Sequence, residues 1–227
     1  MESPKESLDL GRKLYNAARY AEALVEYEWF FENATSIEPS YHGVRLSYCL
    51  AEWHDLGKVY DPALKRLKEK QQESFQDFLS SGDRQKFNDF ESISVELGDT
   101  KLVIEKFLLL DREHKEIAPN AWLYARGHFF KEEDWKICGK YLTDPEGECK
   151  NLLNKFLSTM ELHIKEPGLF GDDKPIVRWL IEDSHYVLRT LKNSGRKAEE
   201  EEALRRIVST LETEGYGKHK ELICNYA

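Results

Sequence analysis

The chain has no long apolar run. Stretches such as FLLL at 107–110 are about four residues long, whereas a helix that crosses a bilayer needs roughly 20, so no membrane span is expected. Positive charge is also short: 33 Lys and Arg stand against 42 Asp and Glu, a formal net charge of −9. Nucleic acid and anionic membranes are bound by clustered cations that displace counterions, so neither is expected as a partner. A protein with a basic face is favoured instead, because opposite potentials steer encounter. The opening residues MESPKESLDLGRK lack the apolar core of a signal peptide. Only four cysteines occur, Cys49, Cys138, Cys149 and Cys224. They lie too far apart for the paired spacings of structural zinc or a disulfide framework. The expectation is a cytoplasmic protein with reduced, structural thiols and no metal.

Catalytic motifs are missing as well. HExxH, GxSxG, the P-loop and GxGxxG are all absent. His54 stands beside Asp55 and His185 near Asp183, but adjacent helical residues diverge by about 100°, so neither pair makes an orienting dyad by itself. The segment GLFGDDKP (168–175) has neither the Lys-Ser/Thr of a phosphate loop nor the ligand order of an EF-hand. Asp172 and Asp173 are read there as caps of a helix with Pro175 in its first turn. No catalytic residue and no cofactor is expected.

What is present is hydrophobic periodicity near 3.6 along a chain that is 41% apolar and 33% charged. Breaks fall at turn-like places: SIEPS, SSGD, LGD, IAPN, LTDPEGE, EPGLFGDDKP and NSGR. Ser40, Asp83 and Asn120 read as N-caps, and Gly98 and Gly195 as left-handed C-terminal residues. About eleven helices joined by short loops are predicted, an all-α arrangement of antiparallel neighbours. The basic run ALKRLKEKQQE (63–73) and the acidic run AEEEEALRR (198–206) read as solvated helix faces with local ion pairs.

The order of residues then repeats. The first unit carries Leu10-Gly11, Leu14, Tyr20, Ala23, Tyr27 and Phe30; the second Leu46, Leu50, Tyr60 and Ala63, with about four extra residues lengthening its first helix. The third carries Phe87, Phe90, Gly98-Asp99, Val103 and Phe107. The fourth carries Trp122, Ala125, Phe129, Trp135, Cys138 and Leu142. This order resembles the tetratricopeptide repeat, a helix–turn–helix unit of about 34 residues. It departs from that pattern where Arg126 replaces a Gly and Cys138 an Ala, and where Pro39 falls about four positions late. The resemblance covers residues 5–142 best and, more loosely, a final hairpin at 174–214. Residues 146–175 fit no repeat and read as a long helix plus a loop, and 215–227 as a cap or tail.

The resemblance implies one domain over 1–227, a right-handed superhelix of antiparallel hairpins whose first helices line a concave groove. Projecting the register gives Arg12, Tyr15 and Asn16, then Tyr41, Tyr48 and Glu52, then Asn88, Ser92 and Glu96, then Asn120, Phe130 and Lys131 as groove-lining candidates. The carboxylate clamp of some members is met only in part, at Leu8 and Arg12. The implied function is a non-catalytic interaction module for a protein or peptide. Alternatives are a neutraliser of a cognate toxin, an enzyme on a helical scaffold, and self-association through the last hairpin.

Overall fold

The computed structural model describes residues 3–166, 168–169 and 171–226. Pro167 and Phe170, within the 146–175 segment, lie outside the described residues, as do Met1, Glu2 and Ala227. Among the described residues the chain is all-helical, with thirteen α-helices, two 3-10 turns and no strand. None of these helices is long and apolar enough to cross a membrane.

Two units emerge, Met1–His128 and Phe129–Ala227. The first holds α1 (Pro4–Asn16), α2 (Tyr20–Ile37), α3 (His42–Leu46), α4 (Tyr48–Val59), α5 (Asp61–Ser81), α6 (Arg84–Glu96), α7 (Thr100–Glu113) and most of α8 (Ala118–Lys131). The second holds the end of α8, then α9 (Trp135–Tyr141), α10 (Pro145–Lys165), α11 (Lys174–Asn193), α12 (Lys197–Thr213) and α13 (Lys220–Cys224). The helix number exceeds the expected eleven because two five-residue pieces, α3 and α13, stand apart. The lengthened first helix expected over the second repeat is broken: Ser47 adopts φ −124° and ψ −85°, and the extra residues become α3. The long helix expected at 146–175 is α10. The C-terminal residues pack on α11 and α12 through the 3-10 turn and α13.

Four hairpin turns close in the same way. Arg19 N donates to Leu14 O at 2.9 Å, Asp99 N to Ser94 O at 2.7 Å, Asp134 N to Phe129 O at 3.0 Å and Arg196 N to Leu191 O at 2.9 Å. Each is a bond back to a carbonyl five residues earlier, the Schellman closure, which needs one residue in the left-handed region. Those residues are Ala18 (φ 57°), Gly98 (φ 73°), Glu133 (φ 55°) and Gly195 (φ 77°). Glycine marks two of the turns in the sequence; the other two place a side chain where it costs about 1–2 kcal/mol. The turn between α4 and α5 differs: Tyr60 is extended (φ −142°) and Pro62 opens α5.

Within the hairpins the small residues sit where the helices cross. Ala23, Ala63, Val103 and Cys138 are all fully buried. A Cβ on Gly11 would stand 2.9 Å from Tyr27 Cε1, and one on Gly57 3.1 Å from the Leu64 backbone. Close approach of this kind is possible only without a side chain, and Tyr27, Phe30 and Trp53 fill the flanking space. Of the expected caps, Asp83 holds, its Oδ1 accepting from Gln85 N at 2.9 Å. Ser40 instead lies in a 3-10 turn and donates to Glu38. Asn120 is already inside α8 and donates to Gly82 O at 2.8 Å. Asp173 occupies the position before α11 without a side-chain cap bond, while Asp172 Oδ1 accepts from Lys174 N at 3.2 Å.

Candidate partner-binding face

The first helices of successive hairpins in the first unit are α1, α4, α6 and α8, and each is tied to the next by side chains. Arg12 on α1 grips Glu52 on α4, with Nη2 at 2.7 Å and Nε at 3.0 Å from Oε1. His54 Nδ1 on α4 lies 3.0 Å from Glu96 Oε1 on α6. Glu91 Oε1 on α6 lies 2.8 Å from His128 Nε2 on α8. These three bridges link the four helices in series. The hydrogen bond donated to Glu52 is also the main reason the Arg12 guanidinium is held above its ordinary pKa.

The bridges flank an outward strip on each helix. On α4, Cys49, Leu50, Trp53 and Leu56 face inward. At about 100° per residue the opposite side is Tyr48, Asp55, Lys58 and Val59, all exposed. On α6 the equivalent strip is Ser92 and Val95, and on α8 it is Asn120, Leu123 and Gly127. Tyr48, Val95 and Leu123 are 65%, 48% and 51% exposed, large apolar side chains left uncovered among polar neighbours. Lys58 Nζ reaches Asp55 Oδ1 at 2.7 Å, and that bond chiefly raises its pKa.

The twelve candidates from the sequence fall into three groups. Arg12, Glu52 and Glu96 are the bridging residues just described. Asn16, Tyr48, Asn120 and Lys131 are exposed and Ser92 half-buried. The remaining four are engaged in packing. Tyr15 stacks near Tyr20 with centroids 6.0 Å apart, and Tyr41 meets Phe30 edge-on at 5.6 Å. Asn88 is buried, its Nδ2 3.5 Å from His42 Nε2, because α3 lies over the start of α6. Phe130, in the second unit, is held between Trp135 and Tyr186 with the Arg189 guanidinium 5.1 Å from its ring centroid. Val95 and Leu123, which the register projection does not name, continue the i, i+3, i+4 spacing from Asn88, Ser92 and Asn120 and are exposed.

The His–Asp neighbours of the sequence do not converge. His54 faces Glu96 while Asp55 pairs with Lys58; His185 Nε2 lies 3.0 Å from Leu222 O, and Asp183 accepts from Lys155. Among the described residues no group of His, Cys, Asp and Glu has the geometry to hold a metal ion. The basic run on α5 is tied down, Arg66 by Glu28 and Glu73, and Lys70 by Glu32 and Glu73. In the acidic run, Glu199 pairs with Arg196 and Glu202 with Arg205. Comparison with family models, with curated proteins and with solved structures finds no match to this chain.

Proposed function

We propose that the chain is a non-catalytic protein-binding module, a right-handed superhelical stack of tetratricopeptide-like hairpins that receives a protein or peptide partner on the face formed by α1, α4, α6 and α8. The observation that carries this reading is the set of lateral bridges Arg12–Glu52, His54–Glu96 and Glu91–His128. They align the first helices and leave Tyr48, Val95 and Leu123 outward between them. The recurrent Schellman turns and the small residues at each hairpin crossing support repetition of one unit. The exposed Tyr48 matches the enrichment of tyrosine at interaction surfaces. His54 and His128 serve as bridges between helices. Four well-separated free thiols, Cys49, Cys138 and Cys149 buried and Cys224 exposed, support a reducing, cytoplasmic setting.

The test is affinity capture with the wild type and with a Tyr48→Ala/Val95→Ala/Leu123→Ala variant whose helicity is checked by circular dichroism. All three side chains are exposed, so the fold is expected to persist. Loss of a stoichiometric partner from the variant supports the face. A partner retained undiminished moves binding elsewhere and overturns it.

A further inference from the structure

The second unit ends in a segment strapped over its own helices. It leaves α12 through Gly215, whose backbone is left-handed (φ 83°), and Tyr216 N donates back to Leu211 O at 2.7 Å. The 3-10 turn Gly217–His219 and α13 follow. Side chains of three helices hold them. Tyr216 meets the Phe156 ring of α10 edge-on at 5.1 Å, and Ile223 is fully buried. Lys220 Nζ reaches Glu212 Oε1 of α12 at 2.9 Å. His185 Nε2 of α11 lies 3.0 Å from Leu222 O, and the Tyr226 hydroxyl donates to Glu200.

One titratable ring is buried under this strap. His219 is 8% exposed, its ring centroid 6.5 Å from that of Phe156, and its Nε2 is buried without a hydrogen-bond partner. A neutral imidazole tolerates that, because its single proton can sit on Nδ1 and leave Nε2 bare. In the imidazolium both nitrogens are donors, so protonation buries a charged N–H with nothing to accept it. Of the surrounding charges, Lys218 on the same turn opposes the imidazolium and Asp173, ahead of α11, favours it. Asp173 is shared with Lys218, whose Nζ lies 3.6 Å from its Oδ2. From α10 the ring meets apolar Phe156, and Glu212 of α12 is engaged by Lys220. His185 can donate to Leu222 O in either charge state, so its own titration retains the strap. Lifting the strap hydrates the His219 imidazolium and removes the penalty.

We propose that the C-terminal segment 217–226 is a proton-operated strap. Protonation of His219 shifts it toward a lifted state that uncovers Phe156 and the seat of Ile223, while the helices beneath stay folded. The sign follows from linkage: as pH falls, the lifted state takes a proton that the docked ring refuses, so lifting is favoured.

The experiment is amide hydrogen exchange of the full-length, ¹⁵N-labelled protein at pH 7.5 and pH 5.0. Each rate is divided by its intrinsic rate, so that the chemistry of exchange cancels. At pH 5.0 the amides of His219 and Asn225, which donate to Tyr216 O and Glu221 O, should lose protection severalfold. Those of Leu188 in α11 and Ile207 in α12 should keep theirs. His219→Phe and His219→Leu fill the site without titrating and should leave Asn225 equally protected at both pH values. Lys218→Ala, a surface change, removes the cation that opposes the imidazolium and should shrink the response. Protection at His219 and Asn225 that does not change with pH overturns the proposal. So does an equal loss at Leu188 and Ile207, which is unfolding of the whole unit, or the same loss at Asn225 in both His219 variants.

Discussion

Arg45 and Asp89 meet as a buried fork, with Nη1 2.6 Å from Oδ1 and Nη2 2.6 Å from Oδ2. The guanidinium also donates through Nε to Phe31 O and lies 4.0 Å from the Phe31 ring centroid. The pair joins the inserted helix α3 to α6, 44 residues away in sequence. Removing one partner leaves the other charge buried without a counterion. Asp89→Asn should therefore destabilise by about 3–5 kcal/mol, and the double change Arg45→Met/Asp89→Leu should recover much of that loss. Urea denaturation of the wild type and the two variants measures it; an Asp89→Asn midpoint equal to wild type contradicts the assignment.

The two non-glycine turns predict stabilising substitutions. Ala18→Gly and Glu133→Gly relieve a side chain from left-handed backbone and should each gain up to about 1 kcal/mol. Gly98→Ala places a side chain there and should lose about 1 kcal/mol. Thermal melts that rank the three in the reverse order would remove the Schellman assignment.

Glycine on helices should divide by what lies next to it. Gly57→Ala pushes a methyl against the Leu64 backbone, which has little room to yield, and should cost about 1–3 kcal/mol. Gly127→Ala on α8 meets nothing within 4 Å and should stabilise by about 0.5–1 kcal/mol. Chemical denaturation of both variants side by side is the check.

His219 gives a pH dependence of known sign. Burial pulls its pKa below the ordinary value, helped by Lys218 and opposed by Asp173. Above about pH 6.5 the imidazole is neutral in both states and contributes no slope. As pH falls below that, the unfolded chain takes a proton that the native imidazole refuses, and stability is lost until the native pKa is reached. His219→Gln should flatten the change in urea midpoint between pH 7.5 and pH 5.0. An unchanged slope would show that the imidazole titrates alike in both states.

Thiol chemistry should separate one cysteine from three. Cys224 is exposed, while Cys49, Cys138 and Cys149 are buried. Burial pushes the Cys149 thiol up to about 11 and Cys138 up to about 12, and Cys49 upward as well. Since the thiolate is the reactive form, an aromatic disulfide reagent should label one equivalent in the native protein and four in denaturant. Rapid labelling of a second equivalent without denaturant would contradict the burial.

The amino-acid sequence by itself determined that this chain is helical, that hairpins turn at Gly98 and Gly195, and which apolar residues are buried. Leu14, Ala23, Tyr27, Phe90, Val103, Phe107 and Cys138 are buried as their spacing implied, because periodicity and turn chemistry act over a few residues. Tyr48 and Asn120, which the register projection names as groove-lining, are exposed. Only the tertiary structure decided that Arg12 faces Glu52, that Ser47 breaks the second first-helix, that α3 buries Asn88, and that Phe130 is enclosed by Trp135 and Tyr186. Those outcomes depend on contacts between residues tens of positions apart, set by how closely the helices approach and by where a buried charge such as Asp89 finds its partner. No spacing along a single helix encodes them.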